Sequence, residues 1–388
     1  MVDAKEIIRA AQSHKRELIK FLREIVAIPS PSREEEKVAK RIAREMKRAG
    51  LNGVFIDELG SVMGRIGKGK TKILYDAHID TVDIGDRKKW SFDPYKGKYE
   101  KGFIYGRGAC DNKGCVASMV YGGRLIKELG LEGDYTLYFI ASVREEIHEG
   151  LALSHIIEKR RIRPDYVLIG EPSNLNIGYG HKGRIELKIT AKGKACHAAT
   201  PQRGKNAIYD MAPIVSRIKR LNEGLKPKEP LGKGMIAVTR IETENTSLNT
   251  IPDDCAIYLD RRTTLGETKE RVIEELKSIL GGSKAKVEIL KHENGDEKYY
   301  PGWILDEDHP LILAGIETYK TLFGKRPKIR TWPFCTNGSY TMGMKRIPTI
   351  GFGPGDPKYA HSVDERIEVD DLVPATVFYA LFPSILSS

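Results

Sequence analysis

Three apolar runs constrain this chain most: TKILYDAHIDT at residues 71–81, DYTLYFIASVREE at 134–146 and RPDYVLIGEPS at 163–173. Each reads as a buried strand. Helical patterns lie between and before them, near residues 4–27 and 33–50 and from about Lys113, and this alternation predicts an α/β sheet. All three strands deliver histidine or carboxylate residues at or just beyond their C-terminal ends, where open α/β sheets place their ligand crevice.

From about residue 180 the texture changes. GRIELKITAKGKACHAATP opens on an alternating strand, followed by a helix near 205–222, strands near 234–243 and 254–263, a helix near 267–280 and the strand KAKVEIL. This β-α-β-β-α-β order is that of a small split βαβ sandwich, so residues 180–290 are expected to form an inserted α+β domain. Residues 1–179 and 291–388 would make up the discontinuous first domain, with a helix near 309–322 and a strand at RIPTIGFGP. A chain of 388 residues has room for two or three such units.

Lys and Arg total 64 against 53 Asp and Glu, a net charge of +11, which invites a nucleic-acid reading. The basic residues are interleaved with acids, as in SREEEKVAKRIAREMKRAG, and no recognition module accompanies them, so no nucleic-acid partner is expected. The apolar C-terminal stretch from Leu372 is interrupted by Pro374 and Pro383 and is not read as a membrane span. The N-terminus carries charges throughout and lacks the apolar core of a secretory signal, so a cytoplasmic location is expected. Five cysteines without a CxxC pair suggest reduced thiols, and the presence of only Gln12 and Gln202 gives a thermophile-like composition.

His78 and Asp80 are two apart on an extended segment, so imidazole and carboxylate can act on one object or on each other. Asp111 lies in the glycine-rich turn GRGACDNKG, where an aspartate is ordinarily a cap or turn residue. Glu145 and Glu146 are expected to end a strand and point to opposite sides, one suited to hold a metal and the other to act as a base. With Glu171 and His361 they complete a set of nitrogen and oxygen donors that suits zinc, cobalt or manganese better than calcium.

In this order and at these separations, HID at 78–80, GRGACDNKG at 106–114, REE at 144–146, GEPS at 170–173, GKACHAATP at 193–201, DRR at 260–262 and AHSVDE at 360–365 resemble the M20 metallopeptidases and amidohydrolases. That family includes acetylornithine deacetylase, succinyl-diaminopimelate desuccinylase and carboxypeptidase G2, and the texture is nearest its selenium-metabolism-linked hydrolases. The resemblance implies a zinc-exopeptidase-like catalytic domain with a mixed central sheet, and a ferredoxin-like lid through which the chain would form a homodimer. It implies two zinc ions per subunit, bridged by Asp111, with His78 and Glu171 on one and Glu146 and His361 on the other. Asp80 would orient His78, Glu145 would be the general base, and His197 would stabilise the oxyanion. Arg262 would pair with a substrate carboxylate and Asn249 would add a polar contact.

The implied reaction is hydrolysis of the amide bond of a small N-acyl amino acid or dipeptide-like substrate carrying a carboxylate. Hydrolysis of ureido or carbamoyl compounds is the alternative, and a non-catalytic metal- or peptide-binding member is a third reading. Departures from the family pattern are Cys110, Cys115 and Cys196 beside the motifs, best explained as small buried residues, and CTNGSYTMG at 335–343 in place of an aspartate-containing element.

Overall fold

The computed structural model describes residues 4–245 and 247–388, which divide into two compact units. The first comprises residues up to Gly180, Ile304–Arg330 and Thr336–Ser388, and the second His181–Trp303 with Thr331–Cys335. The helices, in chain order, are α1 (Ala4–Val26), α2 (Glu36–Arg48), α3 (Gly114–Glu128), α4 (Leu151–Lys159), α5 (Ala207–Gly224), α6 (Lys269–Ile279), α7 (Pro310–Phe323) and α8 (Leu372–Leu386).

The first unit is built on a mixed sheet. Strand Thr71–His78 runs parallel to Tyr135–Ser142 on one side and to Tyr166–Ile169 on the other, and Thr349–Gly351 continues the parallel set. Val62–Gly67 and Asn52–Ile56 add antiparallel strands beyond Tyr135–Ser142. Residues Ile73 to His78 are buried without a break, the pattern of a strand covered on both faces. The C-terminal ends of the four parallel strands therefore open on one side of the sheet.

Helix α8 packs against α1, α3 and α7 and supplies much of this unit's core. The window Val369–Leu386 is long and apolar enough to cross a membrane, but 67% of it is buried inside the molecule, as in a core helix. Pro374 and Pro383 do not interrupt it. Pro374 lies in the first turn, where a backbone N–H would lack a helical partner anyway. Pro383 cannot donate to the Tyr379 carbonyl, but the Tyr75 hydroxyl donates to that oxygen instead, at 3.1 Å.

In the second unit, strands Met235–Glu242, Asp254–Thr263, Gly183–Lys192 and Lys286–Ile289 lie side by side, all antiparallel. Taken in chain order as 1 to 4, they stand 4-1-3-2, the ferredoxin-like arrangement. Every second residue of Gly183–Ala191 is buried, and Ile185, Leu187 and Ile189 join Met211 and Ile214 of α5 and Val272 and Leu276 of α6 in one core. This unit runs past the expected residue 290 because Tyr299 and Tyr300 pair with Ile185 and Arg184.

Candidate metal centre

His78 is the last residue of its strand, and Glu171 lies two residues beyond the strand ending at Ile169. Asp111 rides a wound turn at Ala109–Lys113 that leads into α3, and its peptide bond to Asn112 is cis. The turn needs Gly108 at φ 84°, where a Cβ would also meet Thr81 Cγ2 at 2.7 Å. His361 follows the last parallel strand on a loop.

Glu145 and Glu146 do not end a strand as expected. The strand stops at Ser142, Arg144 takes a left-handed conformation, and the two acids begin a 3-10 turn. Both turn amides are held by Asp80, which accepts from Glu145 N at 3.0 Å and Glu146 N at 3.2 Å, and from Ser32 Oγ at 2.6 Å. In this turn Glu145 is buried and Glu146 faces His361.

The five expected donors converge. Asp111 Oδ1 is 2.9 Å from His78 Nε2, and Asp111 Oδ2 is 3.3 Å from His361 Nε2. His361 Nε2 also lies 3.0 Å from Glu146 Oε2, and His78 Nε2 lies 3.8 Å from Glu171 Oε1. His78 Nδ1 is 3.0 Å from the Asp80 carbonyl oxygen, which can only accept, so this nitrogen keeps a proton and Nε2 is the atom left for a metal ion once it gives up its own. The Asp80 carboxylate stands farther off, 3.4 Å from Nδ1. Asp80 thus orients His78 chiefly through its backbone, while its side chain organises the Glu145 turn.

The electrostatics show a site short of positive charge. Burial raises the Glu145 and Glu171 carboxyls well above the usual range, and surrounding carboxylates add to the effect. Burial and Asp111 raise Glu146. Burial would raise Asp111 too, but hydrogen bonds with His361 and His78 hold it well below its ordinary value. The same hydrogen bonds work on the histidines: those to Asp111 and Glu146 push His361 up to about 10. His78 is raised well above its usual value by Asp111 and Asp80 in spite of burial. Glu145 Oε1 is buried with no hydrogen-bond partner among the described residues.

A divalent cation fits this set. Ligand atoms of His78, Asp111 and Glu146 all lie within 4.8 Å of one another, and the mixed nitrogen and oxygen donors match the borderline transition metals.

The remaining predicted residues lie in the second unit. His197 and Asn249 are neighbours on a ribbon in which Cys196 and His197 pair with Ile251 and Thr250, and Ala198 N donates to the Asn249 carbonyl at 2.8 Å. His197 is exposed, and its Nδ1 accepts from Ala199 N at 3.0 Å, which leaves the proton on Nε2. Arg262 is held by Asp260, with Nε to Oδ1 at 2.7 Å and Nη2 to Oδ2 at 3.2 Å. Cys110 and Cys115 are packing residues: a Cβ on Gly355 would meet Cys110 Sγ at 2.9 Å and one on Gly353 would meet Cys115 Sγ at 2.6 Å. Burial raises both thiols well above their ordinary values.

Residues without a predicted role also shape the site. Ser32 gives no signal in sequence, and Glu365 closes the AHSVDE motif without an implied role. Asn337, in the divergent CTNGSYTMG element, is a buried brace. It donates to Asp76 Oδ2 at 2.8 Å and Ser142 Oγ at 3.1 Å, and accepts from Gly150 N at 2.6 Å.

Metal donors gathered at the C-terminal ends of a parallel sheet suit a metal-dependent hydrolase, and the profile of Peptidase family M20/M25/M40 matches residues 74–384. The chain belongs to that family. It is 41% identical to the Escherichia coli K12 protein YgeY over 98% of this chain and 96% of that one. It is 28% identical to acetylornithine deacetylase of Vibrio campbellii, covering 89% of this chain and 90% of the relative. Among solved structures, the M20 metallo-carboxypeptidase Sso-CP2 of Sulfolobus solfataricus superposes with a TM-score of 0.77 at 18% identity, over 96% of this chain and 98% of that one. The Bacillus subtilis YXEP protein, described as a dinuclear metal-binding peptidase, gives a TM-score of 0.72 at 18% identity over 96% and 98%.

Proposed function

We propose that the protein uses two zinc ions to hydrolyse the amide bond of a small N-acyl amino acid or dipeptide-like substrate bearing a carboxylate. One observation carries this reading: the Asp111 carboxylate presents each oxygen to a different histidine, the geometry of a bridging ligand between two cation positions. His78 and Glu171 would hold one ion, Glu146 and His361 the other. The relative named acetylornithine deacetylase supports the N-acyl amino acid class.

Bound metal ions would polarise the scissile carbonyl and make water acidic enough to be deprotonated near neutral pH. The chain supplies the proton handling. Glu145, buried with a free carboxyl oxygen, takes a proton from the attacking water and returns it to the leaving amine nitrogen. Asp80 fixes the turn that aims Glu145. His197 Nε2–H is assigned the stabilisation of the oxyanion.

The inserted domain would join two copies into a homodimer, a reading supported by exposed Met235 and Ile241 on the edge strand Met235–Glu242. A cytoplasmic location is proposed alongside it.

The test is hydrolysis of a panel of N-acetyl, N-succinyl and N-carbamoyl amino acids and dipeptides by wild type and Glu145→Ala, with metal content quantified in both. Wild-type turnover that falls by about 10³-fold or more in a variant still holding its metals supports the assignment. Two metal-loaded proteins that hydrolyse nothing on the panel refute the amide-hydrolase reading for these substrate classes.

A further inference from the structure

Glu365 is fully buried, and its carboxylate faces donors on both oxygens. Oε1 accepts from the backbone N–H groups of Cys110 and Asp111, each at 2.9 Å, and Oε2 accepts from Arg107 Nη1 at 2.6 Å. The Glu365 carbonyl accepts from Gly106 N at 2.9 Å. Arg107 is fixed in turn, donating Nη2 to the Asp83 carbonyl at 3.2 Å and lying 5.2 Å over the Trp90 ring. Arg107 N donates to the Pro94 carbonyl at 2.9 Å and Cys110 Sγ to the Asp356 carbonyl at 3.3 Å, while the Glu365 side chain grips the loop from Gly106 to Asp111 at its Asp111 end.

That side chain belongs to the segment that carries His361. His361 and Asp364 both take positive φ, 56° and 57°, so the loop between them is tightly wound. Asp364 is pinned by Ser91, through its N–H at 2.9 Å and its hydroxyl at 2.7 Å. One end of the segment presents His361 to Asp111 Oδ2, and the other grips the Asp111 backbone.

We infer that Glu365 is a positioning residue that sets the separation of Asp111 and His361 and thereby tunes the affinity of the position those two residues share. Stability alone gives little reason for such a residue, since a buried ion pair can often be replaced by apolar side chains of similar volume without loss. A carboxylate spanning two loop amides and a guanidinium instead ties two ligand-bearing loops together, and partners that hold metal ligands in place commonly govern metal affinity. The inference rests on the metal-site reading above.

Glu365→Gln tests it. In either orientation of the new amide, its NH2 group faces donors, either the two loop amides or Arg107, so the grip must loosen. The full-length apoprotein is titrated with Co2+, following visible absorption and competition with a chromophoric chelator, while melting of the metal-free forms is measured separately. Wild type is expected to take up two ions. In Glu365→Gln, one of the two is expected to bind at least about ten-fold more weakly with an altered cobalt band, as for other loss of ligand-orienting partners. Should Glu365→Gln fail to fold, Glu365→Asp carries the same test: it keeps a counter-charge for Arg107 but draws the carboxylate one methylene back from the loop amides. A folded variant that binds both ions with wild-type affinity and an unchanged band overturns the inference, whatever its melting temperature. A wild-type protein that takes up no metal overturns the metal-site reading itself, and this one with it.

Discussion

Asp80 does more for the site than its place beside His78 suggests, because its carboxylate caps the amides of both glutamates and receives the Ser32 hydroxyl. Asp80→Asn must turn an NH2 group toward one of these donors. Its backbone carbonyl still orients His78, so metal content is expected to survive. Turnover should fall by roughly 10–100-fold with little change in KM, which steady-state kinetics on metal-saturated enzyme would show. The convergence of His78, Asp111, Glu146, Glu171 and His361 is legible because their side-chain types suit ligands and the motifs fix their order. Ser32 and Asn337 are not. They act across 48 and 187 positions on a carboxylate and a backbone amide, and nothing local in a serine or an asparagine announces such a partner. The Glu145 turn was misread for a related reason. A left-handed Arg144 ends the strand early, and arginine carries no mark of that conformation.

At the scale of elements, apolar patterning located α1, α2, α3, α7, the parallel strands and the second unit's four main strands and two helices, but not α4, Asn52–Ile56 or Val62–Gly67, and prolines hid α8. Pro383 removes one N–H from α8, and the structure replaces that donor with the Tyr75 hydroxyl from the central sheet. Tyr75→Phe should then cost about 1–2 kcal/mol by leaving a buried carbonyl unpaired. In a Pro383→Ala background, where the helix supplies its own donor, the same change should cost much less, so the double-mutant cycle by denaturant unfolding should show clear coupling. Equal costs in both backgrounds would sink this account. The start of α8 carries a second, pH-dependent feature. Burial, with help from Glu368, Asp370 and Asp356, raises the Asp371 carboxyl from 3.8 to about 6, although Gly355 N donates to it. An acid raised on folding is destabilising once ionised. Its contribution to stability should therefore decline as pH climbs from about 4 to about 6, then level off. Asp371→Asn, which can still accept from Gly355, should match wild type below pH 4 and exceed it by about 1–3 kcal/mol above pH 6. Melting curves across that range decide it.

For the molecule as a whole, the decisive quantity is the charge carried into the crevice. His78, Asp111, Glu145, Glu146, Glu171 and His361 come from separate segments of the first compact unit, and burial raises the carboxyls of Glu145, Glu146 and Glu171. Cations bound there offset that repulsion and join the segments. By mass action, an ion at about 100 times its dissociation constant adds about 2.7 kcal/mol to the folded state. For a unit of this size each kcal/mol raises the melting temperature by about 2–4 °C, so each occupied position should contribute on the order of 5–10 °C. Chelation should lower the melting temperature accordingly, and zinc, cobalt or manganese should restore it. The second unit, His181–Trp303 with Thr331–Cys335, contains none of these ligands. A calorimetric transition belonging to it should therefore stay in place while that of the first unit moves. Superimposable traces for the chelated and reloaded protein would show that no metal is held by these residues. A shift confined to the second unit's transition would place the ion elsewhere.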